Sequence, residues 1–92
     1  MIPVRFRSEA RDDLLQIQDY FSKFSDDAAS HVLFDIERAI GLLRRYPMAG
    51  QQVSGRTFRR IVTRQYRFEI AYTYADGMLT ILGVHRYQNR ER

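Results

Sequence analysis

The residues of this sequence most able to do chemistry lie in its second half, where arginines alternate with aromatic side chains. A guanidinium grips a phosphate through two parallel hydrogen bonds, and an aromatic ring stacks on a nucleobase. We therefore predict a surface that binds a polyanion. Its candidate target-binding residues are Arg59, Arg60, Arg64, Arg67 and Arg86, with Arg56 close to them in sequence.

The same region contains the groups that RNA cleavage without a metal requires. Such a reaction needs a base for the ribose 2′-hydroxyl, cations for the phosphate charge and an acid for the leaving oxygen. An imidazole can act as acid or base, so His85 could serve in either role, and Glu69 is a second candidate base. Arg67 and Arg86 could stabilise the phosphate, and Tyr87 could stack on a base. A strand-end histidine is more often structural, so binding and metal-independent RNA cleavage stay open as alternatives.

Composition argues against several other classes of functional site. The chain has no Cys, which removes disulfides, thiolate chemistry and most structural zinc sites. It contains no Gly-rich phosphate loop, and His31 has no second ligand at metal spacing. We therefore expect neither a metal nor a cofactor. Lys and Arg number 15, Lys23 is the only lysine, and the excess of basic over acidic residues lies after residue 46.

Length and hydropathy set the size and location that we expect. With 92 residues, of which 45% are hydrophobic, the chain can build one modest core, so we predict a single domain over residues 1–92. There is no apolar run of about 18 residues and no pattern typical of a signal peptide. We expect a cytoplasmic protein that does not bind membranes.

Changes in hydrophobic period indicate the elements that position these residues. Ile2, Val4 and Phe6 alternate with other residue types, which predicts a short strand, and Ser8 is placed to cap the following helix. Two apolar stripes at helical spacing then predict an antiparallel helical hairpin, with Ser25 as the second cap. The stripes consist of Ala10, Leu14, Ile17, Phe21 and Phe24 in the first helix, and of Ala29, Val32, Ile36, Ile40 and Leu43 in the second.

After the second helix the period changes to two. A loop is predicted over residues 50–55, followed by strands at 58–63, 66–74 and 78–85, and Asp76-Gly77 supplies a tight turn between the last two strands. The sequence therefore predicts an α+β fold in the order β-α-α-β-β-β, with the helical hairpin packed on a mainly antiparallel sheet. In the strand at 66–74, Arg67 and Glu69 should point away from the aromatic face that packs on the helices.

Two apolar residues break the helical stripes. Leu15 and Phe34 each fall about 160° around their helix from the centre of its stripe, so both should face outward. One exposed apolar residue on each arm of the hairpin predicts a docking site for a partner helix. Asp13, in contrast, fits an ordinary carboxylate near the start of a helix.

The element order and several local patterns resemble the RelE/ParE toxin family over nearly the whole chain. The first half is similar to ParE-like members, whereas the second half is similar to RelE-like nucleases at Arg67, Arg86 and Tyr87. The chain lacks the lysines that many RelE-like enzymes use, which favours the ParE-like side. The ParE-like pattern comprises Ala10, Asp13, Leu14, Ile17, Tyr20, Ala28, Ala29, Ile36, Ala39, Ile40, Leu43, Pro47 and Gly50.

The resemblance implies the toxin of a type II toxin–antitoxin system, with DNA gyrase as the target of ParE-like members. The alternative that it implies is a RelE-like, ribosome-dependent mRNA endoribonuclease, whose catalytic residues would be Arg67, His85, Arg86 and Tyr87. It also implies a cognate antitoxin, whose acidic and partly disordered tail folds on the basic surface in a toxin–antitoxin hetero-oligomer. Leu15 and Phe34 are our candidate antitoxin-binding residues.

Overall fold

A computed structural model describes residues 1–87, and its helices and strands follow the predicted order with one addition. The addition is a two-residue strand inside the segment that we predicted to be a loop. The α+β fold class and the helical hairpin are confirmed, whereas a single domain over residues 1–92 stays a prediction. The elements are β1 (Val4–Phe6), α1 (Ser8–Ser22), α2 (Asp26–Arg45), β2 (Gln51–Gln52), β3 (Arg59–Val62), β4 (Phe68–Ala75) and β5 (Met78–Arg86).

The strands form a sheet in the order β1-β5-β4-β3-β2. Strand β1 runs parallel to β5, and the other neighbouring strands are antiparallel. The helical hairpin follows β1 directly, so the chain crosses one face of the sheet before the antiparallel strands begin. The hairpin turn between β4 and β5 is as predicted, because Asp76 and Gly77 have φ values of 54° and 73°.

The two helices begin in different ways. Ser25 caps α2 as predicted, since its Oγ accepts a hydrogen bond of 2.9 Å from the backbone N–H of Ala28. The predicted cap at Ser8 is wrong, because α1 already begins at that residue and its hydroxyl contacts Glu9 instead. The pKa of Glu9 is lowered, first by a backbone hydrogen bond and then by the Ser8 hydroxyl.

Within residues 1–87, neither helix is long and apolar enough to cross a membrane.

The core lies between the helical hairpin and one face of the sheet. Phe68, Ile70 and Tyr72 are all buried there, which confirms the inward face predicted for this strand. The helix α1 packs against β5, and partly buried aromatic and aliphatic side chains surround the cluster. The opposite face of the sheet is not covered by the helices. The buried cluster consists of Ala10, Val32, Ile36, Ile40, Leu43, Phe68, Ile70, Tyr72, Leu79, Ile81 and Val84.

Candidate functional site

The candidate site lies at the end of the sheet where the turn between β3 and β4 meets the end of β5. Thr63 closes this turn twice, because its N–H donates to the carbonyl oxygen of Phe68 at 2.8 Å and its Oγ1 accepts from the N–H of Phe68 at 2.9 Å. Beyond the last strand pair, the N–H of Tyr87 donates to the carbonyl oxygen of Arg67 at 2.9 Å. The two segments that carry the candidate arginines are therefore fixed to each other by backbone hydrogen bonds.

Asp35 of α2 is hydrogen-bonded to the same turn between β3 and β4. Its carboxylate accepts hydrogen bonds from the backbone N–H groups of Gln65, at 3.3 Å, and Tyr66, at 2.8 Å. The residue is only 3% exposed, so its negative charge is compensated by these donors and not by water. This buried carboxylate sets the path of the turn that presents Arg64 and Arg67.

The side chains of Arg67 and Tyr87 contact each other within the site. The guanidinium carbon of Arg67 lies 5.2 Å from the centroid of the Tyr87 ring, within the range of a cation–π interaction. The prediction that Arg67 lies in a strand is wrong. Strand β4 begins one residue later, and Arg67 has a φ of 60°, a left-handed backbone that redirects its side chain toward Tyr87.

Arg86 lies on the side of the sheet that the helices cover. It is paired directly with Phe68, and its guanidinium carbon is 5.8 Å from the centroid of that ring. Phe68 in turn contacts Phe21 of α1 edge to face, with ring centroids 6.2 Å apart. The cation is therefore held at the rim of an aromatic cluster that continues into the core.

His85 and Glu69 occupy the open face. They are directly paired across β4 and β5, and consecutive strand residues point to opposite faces, so His85 and Arg86 leave β5 on opposite sides. Glu69 also lies 3.7 Å from Arg60, and both side chains are partly exposed. The structure thus places Arg86 on the opposite face of the sheet from His85 and Glu69.

The arginines of β3 are divided in the same way. Arg60 is paired with Ala71 on the open face, whereas Arg59 is paired with Tyr72 on the helix side. The Nη1 of Arg59 donates a hydrogen bond of 2.9 Å to the carbonyl oxygen of Gly50, which places this side chain against the loop after α2. Strand alternation therefore sends Arg59 and Arg60 to opposite faces of the sheet, and their role in target binding stays a prediction.

Tyr72 fixes that loop from the core. Its hydroxyl donates to the carbonyl oxygen of Pro47 at 2.7 Å and accepts from the N–H of Gly50 at 2.9 Å. Burial raises the pKa of Tyr72, while the Gly50 hydrogen bond and the charge of Arg59 oppose that shift. The sequence indicated an inward-facing tyrosine but not this hydrogen-bonding role.

Asp13 has a role similar to that of Asp35, at the edge of the sheet. Strand β1 ends at Phe6, so it pairs with β5 only as far as Ile81. Further along β5, the carboxylate of Asp13 accepts a hydrogen bond of 2.9 Å from the N–H of Val84. The same oxygen lies 3.9 Å from Nδ1 of His85. We predicted an ordinary carboxylate near the helix start, whereas Asp13 takes the place of a missing strand neighbour. Asp13 and Asp35 both occupy positions on the apolar stripes of their helices. A polar residue at such a position was the sequence signal for these hydrogen-bonded carboxylates.

The remaining predicted residues lie on the outer surface. Leu15 and Phe34 are each 59% exposed, which confirms that they face outward, while their role in partner binding stays a prediction. Arg64 is also exposed, next to the turn that Asp35 holds. In the part of the chain that the structure describes, no group of three or more metal-binding side chains is arranged to hold an ion.

Comparison with protein families gives a match over nearly the whole chain. The model described as the ParE toxin of the type II toxin–antitoxin system parDE matches residues 4–88. Comparison with curated protein sequences gives no match.

Solved structures of two kinds of toxin–antitoxin system share the fold. A chromosomal ParDE system from P. aeruginosa aligns with a TM-score of 0.82 and 19% identity, covering 96% of this chain and 98% of that chain. The intact RelBE complex from E. coli gives a TM-score of 0.62 and 11% identity, with 97% and 100% covered. RelBE2 from Mycobacterium tuberculosis gives 0.58 and 23%, with 94% and 98% covered.

Proposed function

Because the chain belongs to the ParE toxin family of type II toxin–antitoxin systems, we propose that it stops growth by binding an essential target, with DNA gyrase as the first candidate. The observation that favours binding over cleavage is the division of the candidate catalytic residues between two faces of β5. A general base must reach the proton it removes while cations surround the same phosphate. His85 on the open face and Arg86 on the helix side do not meet this requirement together.

The target-binding surface that we propose is the end of the sheet, formed by Arg64, Arg67 and Arg86. The aromatic rings beside Arg67 and Arg86 limit the positions of their guanidinium groups, so less conformational entropy is lost when they bind a carboxylate or phosphate. Arg59 and Arg60 contribute less, because Arg59 already donates to Gly50 and Arg60 lies beside Glu69.

The cognate antitoxin is the second partner that we propose. The toxins in the related solved structures come from toxin–antitoxin systems. On this chain, Leu15 and Phe34 place exposed apolar surface on both arms of the hairpin, which suits an amphipathic helix of the antitoxin. We also propose that the protein acts in the cytoplasm and that it forms a toxin–antitoxin hetero-oligomer when growth is not inhibited.

A RelE-like, metal-independent mRNA endoribonuclease is the alternative. One observation favours it, namely the stacking of Arg67 on Tyr87, which puts a cation and an aromatic ring side by side at the end of the sheet. RNA recognition uses this combination for phosphate contact and base stacking. In this alternative His85 would act as the acid or base, with Arg67 and Arg86 at the phosphate.

Growth and supercoiling assays test the proposal. The chain is induced in a bacterial host, and the purified protein is added both to a gyrase supercoiling reaction and to a cell-free translation reaction with mapping of mRNA 5′ ends. We expect growth arrest and loss of supercoiling with intact mRNA. Arg67→Ala and Arg86→Ala should each weaken both effects, whereas the matched change Arg56→Ala, in an exposed loop, should not.

The possible outcomes separate the two functions. Ribosome-dependent cuts in the mRNA that disappear in Arg67→Ala would replace gyrase binding by the nuclease alternative. Continued growth at full expression of folded protein would contradict both. A genomic library of the source organism, screened for clones that restore growth, identifies the antitoxin directly.

A further inference from the structure

An open depression of about 690 Å³ lies where the segment before β1, the end of α2 and the turn between β4 and β5 meet. This is the end of the sheet opposite the candidate target-binding surface, and the eight residues of β4 separate the two ends by roughly 25 Å. The volume falls in the range of small-molecule sites. The residues that line the depression include Ile2, Pro3, Arg44, Arg45, Tyr46 and Tyr74.

Backbone hydrogen bonds hold the walls of the depression. The carbonyl oxygen of Pro3 accepts from the N–H of Leu79 at 3.1 Å, which ties the segment before β1 to β5. At the end of α2, the N–H of Tyr46 donates to the carbonyl oxygen of Leu42 at 2.8 Å. The carbonyl oxygen of Tyr46 accepts in turn from the N–H of Ala49 at 3.0 Å. The walls are therefore in place before a ligand binds.

Two tyrosine rings in the depression are exposed and do not stack on other rings. Strand alternation puts Tyr74 on the helix side of the sheet with Tyr72, yet Tyr74 is 38% exposed whereas Tyr72 is buried. Tyr46 is 59% exposed. Neither Tyr46 nor Tyr74 forms an aromatic or cation–π contact with any residue between 1 and 87. Tyr20, in contrast, packs on two phenylalanines although it is also exposed.

Two guanidinium groups supply positive charge beside these rings. The Nε of Arg44 donates a hydrogen bond of 2.6 Å to the carbonyl oxygen of Ile2, which fixes the group and leaves Nη1 and Nη2 available. Arg45 is exposed next to it, and neither arginine forms an ion pair with a residue between 1 and 87. The C-terminal dipole of α2 contributes only about half a negative charge, so the two arginines outweigh it. The carboxylate of Asp76, in the nearby turn, is exposed and therefore screened.

This combination of rings and arginines matches a ligand that is aromatic at one end and anionic at the other. An unstacked tyrosine ring offers a face to a nucleobase, and the guanidinium fork fits a phosphate group. We propose that the depression binds a nucleoside phosphate, with the base on the tyrosine rings and the phosphate on Arg44 and Arg45. A free nucleotide and one nucleotide of a single strand share this chemistry. The proposal does not depend on the toxin function.

Titration with adenosine 5′-monophosphate tests the chemistry of the ligand and locates it. The backbone amide signals of residues 44–46 and 74–77 in the ¹⁵N-labelled chain should shift. Adenosine and inorganic phosphate each provide one half of the ligand, so both should bind at least about fivefold more weakly. Equal binding of inorganic phosphate would overturn the proposal, because the rings would then have no part. Shifts confined to residues 63–68 and 85–87, or no shifts at millimolar nucleotide, would overturn it as well.

Variants at exposed positions separate the two halves of the ligand. Tyr46→Ala and Tyr74→Ala should each weaken nucleotide binding by about fivefold or more, because a stacked ring is lost. Arg45→Ala should weaken the nucleotide by a similar factor and leave adenosine unchanged. Phe24→Ala and Arg56→Ala remove an exposed ring and an exposed guanidinium outside the depression, and should leave binding unchanged. Unchanged binding in both tyrosine variants would overturn the proposal.

A short single-stranded oligoadenylate distinguishes the two sources of the ligand. If the site serves a strand, the oligonucleotide should bind more tightly than the mononucleotide and should lose affinity in Tyr46→Ala. If the site serves a free nucleotide, the mononucleotide alone should shift residues 44–46. Arg67→Ala should leave binding in the depression unchanged while it weakens growth arrest, and Tyr46→Ala should do the reverse. The nucleotide site and the toxin function can therefore fail independently.

Discussion

Replacing Asp35 by Asn tests whether one buried carboxylate positions the candidate site. The asparagine has nearly the same shape but keeps a single oxygen, so it can accept from only one of the two N–H groups, of Gln65 or Tyr66, that now donate to the carboxylate. One charge-assisted hydrogen bond is lost, and the remaining one becomes neutral. Hydrogen bonds to charged groups contribute about 1.5–3 kcal/mol, so we expect the free energy of unfolding to fall by about 2 kcal/mol.

Chemical denaturation measures this change, and amide exchange locates it. A loss of about 2 kcal/mol corresponds to a decrease in Tm of about 8–16 °C in a domain of this size. The N–H of Tyr66 should also exchange faster, since it donates to the carboxylate at 2.8 Å. Glu37→Gln is the control, because it removes one negative charge from an exposed position on the same helix and should change stability by less than about 0.5 kcal/mol.

One result would refute the reasoning about this turn. If Asp35→Asn and Glu37→Gln unfold at the same denaturant concentration and Tyr66 exchanges at its original rate, Asp35 does not hold the turn. If stability falls as expected, binding of the target should weaken as well, because the turn presents Arg64 and Arg67.

Three further predictions concern Tyr72 and the loop that it fixes. Tyr72→Phe removes the hydroxyl between Pro47 and Gly50, which leaves the buried N–H of Gly50 and the partly buried carbonyl of Pro47 without this partner and should lower the free energy of unfolding by about 1–3 kcal/mol in urea denaturation. Burial raises the pKa of Tyr72 in the folded protein, so its stabilisation is complete below the unfolded pKa of about 10 and is lost as pH rises through the folded pKa. Unfolding measured from pH 9 to 11.5 should therefore show falling stability, with a shallower fall in Tyr72→Phe; parallel curves would contradict this. Gly50→Ala would put a methyl group 2.8 Å from the carbonyl oxygen of Arg60 and against the Tyr72 ring, so a loss of about 1–3 kcal/mol is expected, and an unchanged Tm would show that the loop moves aside.

The fold was predictable because its main elements have clear hydrophobic periods. The stripes of the two helices, the alternation in β4 and the Asp76-Gly77 turn each depend on local sequence, and each was found where it was expected. Strand β2 was not predictable, because Gln51 and Gln52 have no apolar pattern and become a strand only by pairing with Arg60 and Arg59.

The candidate site was predictable in residue type but not in geometry. Alternation cannot reveal that Arg67 has a left-handed backbone, since that conformation arises from the hydrogen bonds that close the turn. The sheet register, which puts Arg86 over Phe68 and His85 beside Glu69, likewise depends on contacts between distant strands. Asp13 and Asp35 could have been recognised as polar residues on apolar stripes, but their partners lie 71 and about 30 positions away along the chain.

If Arg67 binds the target as we propose, its left-handed backbone gives the chain an easy path to inactivity. A residue with a Cβ costs about 1–2 kcal/mol in that conformation, and glycine does not carry this cost. A change of Arg67 to glycine would therefore remove the guanidinium while relieving backbone strain, and this relief would offset the greater entropy that glycine gives the unfolded chain, so the variant would remain folded. Selection on a host that carries the gene could accumulate such a change without passing through an unstable, aggregating intermediate. Folded but inactive copies that keep the proposed antitoxin-binding surface would then act as decoys, which would leave an active toxin elsewhere in the cell less restrained.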